Sequence, residues 1–269
     1  WMMWNWLVSG LASGATVVLY DGSPGHPDLG TLWRMAERTG ITHFGISPKF
    51  LAACSKSELI PENVADLSNF RSLLSTGSPL VSEQFDWVYE NVHSDIQVAS
   101  ISGGTDIIGC FLAGSPILPV HRGELQCAQL GMDVQSWDPD GKPVFGQSGE
   151  LVCTQPFPSM PLGFWNDADG SKYQEAYFDD FDGVWTHGDY VEMTANGGAI
   201  IYGRSDTTLN PGGVRIGTAE IYRAVENMEQ IVDAVVVGRP NEGDGDVEII
   251  IGSKNNCWNW QYICKRDIV

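Results

Sequence analysis

Aspartate and arginine residues recur beside glycines in a fixed order in the last third of the chain. They lie in the segments His187-Gly188-Asp189, Gly203-Arg204-Ser205-Asp206 and Gly212-Gly213-Val214-Arg215. An aspartate can accept hydrogen bonds from both hydroxyls of a ribose, and a nearby arginine adds a donor and a positive charge. Arg215 could stabilise the negative charge that develops when a phosphate is attacked. Solvated turns with surface ion pairs would not require this order, so the segments favour nucleotide chemistry.

Two further loops have glycines beside polar side chains. Ser75-Thr76-Gly77-Ser78-Pro79 follows one predicted strand, and Ser102-Gly103-Gly104-Thr105-Asp106 follows another. The first loop would let backbone approach a flat ligand closely. The second could offer N–H groups to a phosphate, with a hydroxyl and a carboxylate placed for phosphate and metal. Taken alone, the first is better explained as an ordinary turn, and the second is a common kind of loop.

Strands and helices alternate over the first hundred residues, and these elements must position both loops. Strands are predicted at 15–20, 42–46, 71–75 and 96–101. Helices are predicted at 28–38, from Ser47-Pro48 through Cys54, and after a Ser82 cap with Phe85, Val88 and Tyr89 on one face. This alternation predicts a parallel sheet covered by helices, which binds ligands beyond the carboxyl ends of its strands.

The character of the chain changes near Pro116. From there to Arg204, short strands separated by turns such as 138–141 and 195–198 predict a β-rich subdomain. After Asp206 we expect a strand at 213–216, a helix at 218–227, and strands at 232–238 and 247–251. The predicted fold is therefore α/β, a parallel sheet with flanking helices (1–115) plus a β-rich subdomain with the nucleotide site (116–205). A truncated small α+β C-terminal domain (206–252) follows, and the tail 253–269 reads as an altered end rather than a folded module.

The composition excludes several kinds of partner. With 15 basic and 34 acidic residues, the formal net charge is −19, which argues against a nucleic-acid or anionic-membrane surface. ATP is still allowed, because a few arginines and backbone N–H groups can hold phosphates locally. The six cysteines form no CxxC pair, which favours reduced thiols and a cytoplasmic location. No apolar run approaches the roughly 20 residues of a membrane span.

The segment HGDY…GRSDTTLNPGGVRIGTAEIY resembles the signature of the adenylate-forming superfamily, which includes acyl-CoA synthetases, luciferases and peptide-synthetase adenylation domains. The resemblance covers residues 1 to 252. It implies that Asp189 and Arg204 hold the ribose of ATP and that Asp206 is a hinge. It also implies that Arg215 lies near the phosphates as a catalytic residue, and that Gly212 and Gly213 line the CoA channel.

The same resemblance assigns the two earlier loops. Gly77-Ser78-Pro79 is similar to the adenine-contacting turn of the superfamily, and Gly103-Gly104-Thr105-Asp106 is similar to its Thr-acid loop. Thr105 would touch the α-phosphate as a second catalytic residue, and Asp106 would bind Mg²⁺. Asp106 replaces the Glu usual in relatives, which shortens its reach by one methylene. A separate Ser/Thr/Gly-rich loop of relatives, whose Lys binds phosphate and which would lie upstream of Trp1, has no match here. The catalytic Lys near the C-terminus of relatives has none either, so we expect this chain to be incomplete and inactive alone.

Within the superfamily, WMMWNWLVSGLASGATVVLYDGSP, SGGTDI and RIGTAEIY most resemble the acyl-CoA synthetases that activate acetoacetate. Acetate-specific relatives carry a Trp where this chain has Gly103, and they tend to have an aliphatic residue in place of Thr76. We expect Thr76 and Gly103 to form a wider acyl pocket, in which a hydroxyl could satisfy a keto oxygen. Two alternatives stay open: another short-chain acyl-CoA synthetase of the superfamily, or a non-catalytic nucleotide-binding fragment.

The resemblance implies a two-step reaction with ATP, Mg²⁺ and CoA. The carboxylate of acetoacetate would attack the α-phosphate of Mg·ATP, which releases pyrophosphate and leaves an acyl-adenylate. After a rotation about Asp206, the CoA thiol would attack the acyl-adenylate and release AMP, leaving acetoacetyl-CoA. Such a rotation lets one small domain serve both steps.

Overall fold

A three-stranded parallel sheet forms the first part of the structure. The computed structural model describes residues 3–205, 221–222, 225, 231–240, 247–255 and 260–263. The strands pair in the order β1-β2-β3, and their first residues, His43, Ser72 and Gln97, lie opposite one another across the sheet. Its elements, with the helices that accompany them, are α1 (Met3–Ala12), α2 (Thr31–Thr39), β1 (His43–Ile46), α3 (Pro48–Lys56), a 3-10 helix (Pro61–Asn63), β2 (Ser72–Ser75), α4 (Ser82–Asn91) and β3 (Gln97–Ser100).

An aromatic and aliphatic core joins this sheet to its helices. Trp33 on α2 lies 5.3 Å from Phe44 on β1 and 6.1 Å from Phe50 on α3, measured between ring centroids. Trp33 and Ala36 are the fully buried residues of α2, as the predicted apolar face required. The layer of helix on parallel sheet confirms the α/β prediction for this part of the chain.

Local side-chain hydrogen bonds set where the helices begin. The Ser47 hydroxyl accepts a hydrogen bond from the Phe50 N–H, with Pro48 in the first helical position, as predicted. The α2 helix begins later than predicted, because the Asp28 carboxylate binds the Gly30 N–H at 2.8 Å in a local turn. Ser82 is not the cap of α4: Val81 holds that position, and its N–H donates to the Gln84 side chain at 3.3 Å.

The predicted strand 15–20 is wrong. These residues form no strand, and Val18, Leu19 and Tyr20 are exposed. A β-branched run favours a strand only when a neighbouring strand pairs with its backbone. No strand among the described residues pairs with residues 15–20.

Two antiparallel sheets form the β-rich part, and their first strands precede the change of character predicted near Pro116, because β4 and β5 lie before that residue. One has the order β4-β5-β6 and the other the order β11-β10-β9-β7-β8. Their core contains Phe111, Leu151, Trp185 and Val191, all buried. The elements are β4 (Ser102–Gly104), β5 (Gly109–Ala113), β6 (Cys127–Ala128), β7 (Val134–Trp137), β8 (Pro143–Val144), β9 (Ser148–Cys153), α5 (Ser171–Phe178), β10 (Trp185–Met193) and β11 (Ala199–Arg204).

The predicted turns join these strands. At 138–141 the Gly141 N–H donates to the Asp138 carbonyl at 3.0 Å, between β7 and β8. At 195–198 the chain turns between β10 and β11, and the Thr194 N–H donates to the Gly198 carbonyl at 2.9 Å. Both turns therefore lie where Gly, Asn and Asp predicted them.

A third antiparallel sheet contains the last described strands. They are β12 (Ile231–Pro240), β13 (Val247–Asn255) and β14 (Trp260–Ile263), and they pair in the order β12-β13-β14. The strands predicted at 232–238 and 247–251 are confirmed and extend further. The predicted strand 213–216 and most of the helix 218–227 lie outside the described residues. The tail differs from its prediction, because β14 pairs with β13 from Ile251↔Ile263 to Lys254↔Trp260. Its aromatic and branched residues have a high β propensity.

No helix in the described part of the chain is long and apolar enough to cross a membrane.

Candidate functional site

A cavity of about 550 Å³ lies beyond the carboxyl ends of β2 and β3, where they face β10 and β11. Its size lies within the usual range for small-molecule sites. It brings together eight residues from four separate segments that the sequence singled out: Thr76, Gly77, Ser78, Pro79, Gly103, Thr105, Asp189 and Arg204. The wall also includes Ser100, Ile101, Ser102, Leu125, Ile201, Gly203 and Tyr222.

The loop after β2 forms one wall of the cavity. The Thr76 N–H donates to the carbonyl of Ile46, the last residue of β1, at 3.4 Å. Gly77 follows with φ +98°, a backbone conformation that side chains rarely adopt. Ser78 and Pro79 continue this wall. The predicted adenine-contacting turn therefore lies on the cavity, and its backbone conformation explains why residue 77 is glycine.

The loop around β4 forms a second wall, and neighbouring backbone surrounds its first glycine, Gly103. Gly103 lies opposite Cys110 of β5, and a Cβ at Gly103 would overlap the Gly109 carbonyl oxygen and lie 2.6 Å from the Cys110 Cα. The close approach of these two strands therefore requires glycine. This packing argues against the inference that Gly103 widens an acyl pocket by lacking an indole, which stays a prediction, and Gly103 does line the cavity.

The two polar residues after β4 have different surroundings. Thr105 is exposed on the cavity wall. The residues that line the cavity include neither Gly104 nor Asp106. Asp106 is exposed beside it, and its Oδ2 accepts a hydrogen bond from the Tyr177 hydroxyl of α5 at 2.6 Å. The structure thus places the predicted phosphate contact on the cavity and the predicted metal ligand next to it.

The described residues contain no cluster of three or more His, Cys, Asp or Glu that could hold a metal ion by themselves. A Mg²⁺ ion that arrives with a nucleotide keeps several waters and needs only one or two protein carboxylates besides the phosphates. The exposed Asp106 carboxylate fits that requirement. Its bond to Tyr177 engages one oxygen and leaves the second for other contacts.

A bulge in β10 presents Asp189 to the cavity. Residues 187–189 leave the β9–β10 ladder, which shifts register between Thr186 and Tyr190. Bulges of this kind re-aim a side chain. Gly188 has φ +79°, and its carbonyl accepts a hydrogen bond from the Ser205 N–H at 2.8 Å. Asp189 is nearly buried, and its carboxylate lies 3.7 Å from the Arg204 guanidinium.

Arg204 also fixes the bulge itself. Its Nη1 donates a hydrogen bond to the His187 carbonyl at 2.9 Å. A Cβ at Gly188 would lie 2.6 Å from the Arg204 Nη2, so the guanidinium occupies the space of a side chain at a position whose backbone conformation also favours glycine. One arginine thus contacts the backbone before Asp189 and the carboxylate of Asp189. The structure therefore places Asp189 and Arg204, the two residues assigned to the ribose, next to each other.

Glu150 also belongs to this site, although the sequence predicted no role for it. Its Oε1 accepts a hydrogen bond from the Gly188 N–H at 3.0 Å. Burial raises the pKa of the Glu150 carboxyl to about 7, against hydrogen bonds with Ser205 and Gly188 that lower it, and nearby Asp180 and Asp189 raise it further. The only sequence signal was one acidic residue within the otherwise apolar end of β9.

His187 is the second residue that the sequence did not single out by itself. It is 7% exposed, and its ring packs against Phe111 at 4.6 Å between centroids. Burial is the main reason that the pKa of His187 falls to about 4, and Arg204 lowers it as well. A buried His in a strand otherwise typical of a core gave no sequence signal for a role.

Several predicted site residues fall outside the described part of the chain. They are Asp206, Gly212, Gly213 and Arg215. The hinge, the CoA contacts and the second catalytic residue therefore stay predictions.

Comparisons with known proteins agree with this geometry. A sequence profile described as AMP-binding enzyme matches residues 2–165. The acetoacetyl-coenzyme A synthetase of Rhizobium meliloti (strain 1021) is 55% identical over 251 residues, which cover 93% of this chain and 39% of that protein. The acetoacetyl-CoA synthetase of Gallus gallus is 50% identical over 252 residues, which cover 93% and 38%. This chain therefore spans about two fifths of the length of these relatives.

Solved structures show the same likeness. The acetoacetyl-CoA synthetase from Streptomyces lividans superposes with a TM-score of 0.86 at 47% identity, and the match covers 95% of this chain and 39% of that one. An anthranilate CoA ligase in complex with anthranoyl-AMP superposes with a TM-score of 0.71 over 95% of this chain and 47% of that one. At 20% identity, the second comparison shows the fold alone.

Proposed function

Because this chain belongs to the AMP-binding enzyme family, we propose that it forms the adenine, ribose and α-phosphate part of a ligase that joins acetoacetate to CoA. The observation that supports this most directly is the shared cavity, which gathers Thr105, Asp189, Arg204 and the turn Gly77-Ser78-Pro79 from four separate segments. The similarity to the acetoacetyl-CoA synthetases of R. meliloti and S. lividans favours acetoacetate as the acid.

Each wall of the cavity takes one part of the nucleotide. The adenine ring would lie on the backbone of Gly77-Ser78-Pro79, where Gly77 allows close approach. The ribose hydroxyls would donate to the Asp189 carboxylate, which the β10 bulge presents and Arg204 orients. The Thr105 hydroxyl would donate to the α-phosphate, and Gly103 and Gly104 would shape the loop beneath it. Asp106, beside the cavity, would contact the Mg²⁺ that accompanies ATP.

The reaction that these positions serve is adenylation followed by thioester formation. The carboxylate of acetoacetate attacks the α-phosphorus of Mg·ATP, and the bond to pyrophosphate breaks. The CoA thiol then attacks the acyl carbon, loses its proton and displaces AMP. Hydrogen-bond donors that are held in place stabilise the charge that develops on phosphate. Thr105 is such a donor in the described part of the site, and Arg215 is proposed as a second.

The acyl end of the substrate is assigned to Thr76. Thr76 lies on the cavity wall next to the adenine turn and faces the same space as Gly103. Its hydroxyl can donate to a keto oxygen, which would otherwise lose a hydrogen bond on burial. This assignment no longer depends on the size of the side chain at position 103. We further propose Asp206 as the hinge between the two steps, with Gly212 and Gly213 beside CoA.

The test uses this chain and a chimera. First, AMP binding to the purified chain is measured by calorimetry, with GMP as the matched control. Second, the chain replaces the matching 251-residue segment in the R. meliloti acetoacetyl-CoA synthetase, and thioester formation is measured with acetoacetate, acetate and butyrate. We expect binding of AMP in preference to GMP, and a chimera that prefers acetoacetate.

The possible outcomes separate the candidate functions. A folded chain that binds neither nucleotide would overturn the proposed nucleotide site. A chimera that is active but prefers another short acid would favour a different short-chain acyl-CoA synthetase. AMP binding together with a folded chimera that transfers no acid at all would favour a non-catalytic nucleotide-binding role.

A further inference from the structure

His187 lies at the junction of the two loops that form the nucleotide cavity. We call residues 187–189 the ribose loop and residues 102–106 the phosphate loop. We propose that His187 is a positioning residue that locks the ribose loop to the phosphate loop, so that Asp189 and Thr105 face one nucleotide at the same time. This proposal rests on the proposed function, because it assumes that the cavity binds an adenine nucleotide.

The imidazole packs directly on the phosphate loop. A Cβ at Gly104 would overlap the Asp106 Oδ1 and would lie 2.7 Å from the His187 Cε1 and 3.0 Å from its Nε2. Real Cβ atoms essentially never approach other atoms as closely as 2.7 Å, so the imidazole ring and the Asp106 carboxylate together exclude a side chain at position 104. The Gly103 backbone lies on the same side and acts to raise the pKa of His187, against the larger effect of burial. The phosphate loop is therefore shaped to receive this side chain.

The backbone of His187 binds the ribose side of the site. Its carbonyl oxygen accepts the 2.9 Å hydrogen bond from Arg204, whose guanidinium lies 3.7 Å from Asp189. The ring and the carbonyl of one residue thus contact different loops. A displacement of the ring would shift the peptide that precedes Gly188 and Asp189.

A connected set of side-chain contacts holds the His187 ring in this orientation. The Trp185 Nε1 lies 3.4 Å from the His187 Nδ1. Trp185 stacks on Tyr177 at 3.7 Å between centroids with an interplanar angle of 13°. The Tyr177 hydroxyl donates to Asp106, which belongs to the phosphate loop, so this set of contacts ends at the same loop on which the imidazole packs. Such a connected arrangement couples the positions of its members more strongly than isolated pairs.

The protonation of the ring follows from its surroundings. The indole N–H of Trp185 is only a donor, so the His187 Nδ1 must accept, which leaves the proton of the neutral ring on Nε2. Nε2 is the nitrogen on the side of Gly104. Because burial lowers the pKa of His187 to about 4, the ring is neutral at physiological pH. It can therefore donate toward the phosphate loop and accept from Trp185 without carrying a charge.

The experiment compares His187→Gln with His187→Asn in the full 269-residue chain. A Gln side chain can place an N–H near the position of Nε2, whereas the shorter Asn cannot. We expect AMP affinity within about threefold of the original for Gln and a loss of about tenfold or more for Asn, as the loss of one buried hydrogen bond implies. His26→Asn, an exposed histidine outside the cavity, is the matched control and should leave affinity unchanged.

Two further readouts separate positioning from a general effect on folding. Adenosine lacks the phosphate, so His187→Asn should weaken its binding less than that of AMP. Gly104→Ala pushes on the ring as well as on the end of the flexible Asp106 side chain. The part of its effect that passes through the ring should disappear, so that the effect on AMP affinity shrinks by about fivefold or more, once His187 is changed to Ala, because contacting residues are not additive. Thermal unfolding measured in parallel reports on folding alone.

Three results would overturn the positioning role of His187. They are equal AMP affinities for the Gln and Asn variants, equal losses for AMP and adenosine, or multiplicative effects of Gly104→Ala and His187→Ala. A chain with unchanged His187 that does not bind AMP would instead overturn the proposed function. The two failures are therefore distinguishable by the unsubstituted chain.

Discussion

Asp189 and Arg204 lie directly opposite each other in the β10–β11 ladder, and their side chains approach to 3.7 Å. The Asp189 side chain is 11% exposed, whereas that of Arg204 is 48% exposed. An ion pair with one exposed partner contributes little to stability. Its main effect is to orient the aspartate, because Arg204 also holds the His187 carbonyl just before it.

Asp189→Asn should weaken AMP binding by about 10- to 100-fold, because hydrogen bonds to a charged acceptor contribute about 1.5–3 kcal/mol. The shape of the side chain is kept, so folding should change little. Calorimetry with AMP and with adenosine checks this, and both ligands should lose affinity alike, since both carry the ribose. Asp140→Asn, in the exposed turn after β7, is the control. Unchanged affinity in Asp189→Asn would remove the ribose assignment.

Thr76→Val should lower the preference of the chimera for acetoacetate. Valine keeps the shape of threonine but cannot donate to a keto oxygen, which corresponds to about 1 kcal/mol, or a factor of about five in kcat/KM. Butyrate, which has the same chain length without the keto group, should lose nothing. Competition between the two acids measures the ratio, and Thr39→Val at the end of α2 serves as the control. An unchanged ratio would show that Thr76 does not contact the acyl group.

Gly103→Ala should destabilise the chain by about 1–3 kcal/mol, since its methyl group would overlap the Gly109 carbonyl. Gly109→Ala, on the neighbouring strand, meets only the Ser159 hydroxyl oxygen at 3.4 Å and the Ile107 carbonyl oxygen at 3.5 Å, so it should cost clearly less. Urea unfolding of both variants makes the comparison. For the same reason, a Trp at position 103 should break the β4–β5 pairing rather than select acetate. Equal stability of the two Ala variants would restore the pocket-size argument.

Glu150→Gln should change the pH dependence of stability. The pKa of Glu150 is raised from 4.5 to about 7 in the folded chain, so between these values the folded state keeps a proton that the unfolded state has lost. The contribution of Glu150 to stability is therefore greatest at low pH and is lost as the pH rises toward 7. Over that pH interval, the free energy of unfolding of the Gln variant should rise relative to that of the unsubstituted chain. The difference should reach up to about 2 kcal/mol after allowance for solvent screening.

Urea unfolding at four pH values between 5 and 8 measures this difference. Glu90→Gln, an exposed position on α4, should run parallel to the unsubstituted chain at every pH. If Glu150→Gln also runs parallel, burial does not raise the pKa of Glu150, and its role is limited to the hydrogen bond with Gly188.

Arg215→Ala, tested in the chimera, should lower kcat by about 10²-fold or more, in line with the removal of a charge that stabilises the transition state. The KM for ATP should change less, because adenine and ribose are assigned to other residues. Steady-state kinetics with acetoacetate check this, with the exposed Arg38→Ala as the control. An unchanged kcat would place Arg215 outside the catalytic machinery.

Much of the fold could be predicted because its signals are local. The Ser47-Pro48 start of α3, the turns at 138–141 and 195–198, and the strands β1, β2 and β3 all follow from residues adjacent in sequence. The strand predicted at 15–20 failed because pairing with a neighbour is not a local property. The pairing of β14 with β13 was missed for the same reason.

The sequence by itself determined which residue types serve the site and in what order, since Asp189, Arg204 and the two glycine loops carry recognisable spacing. Only the tertiary structure decided what surrounds them. Tyr177 and Asp106 are 71 positions apart, and Glu150 and Gly188 are 38 positions apart, yet each pair shares a hydrogen bond. At Gly103 other backbone occupies the space of a side chain, and at Gly104 the Asp106 carboxylate and the His187 ring do. Close packing between distant segments imposes these requirements, and local spacing carries no record of them.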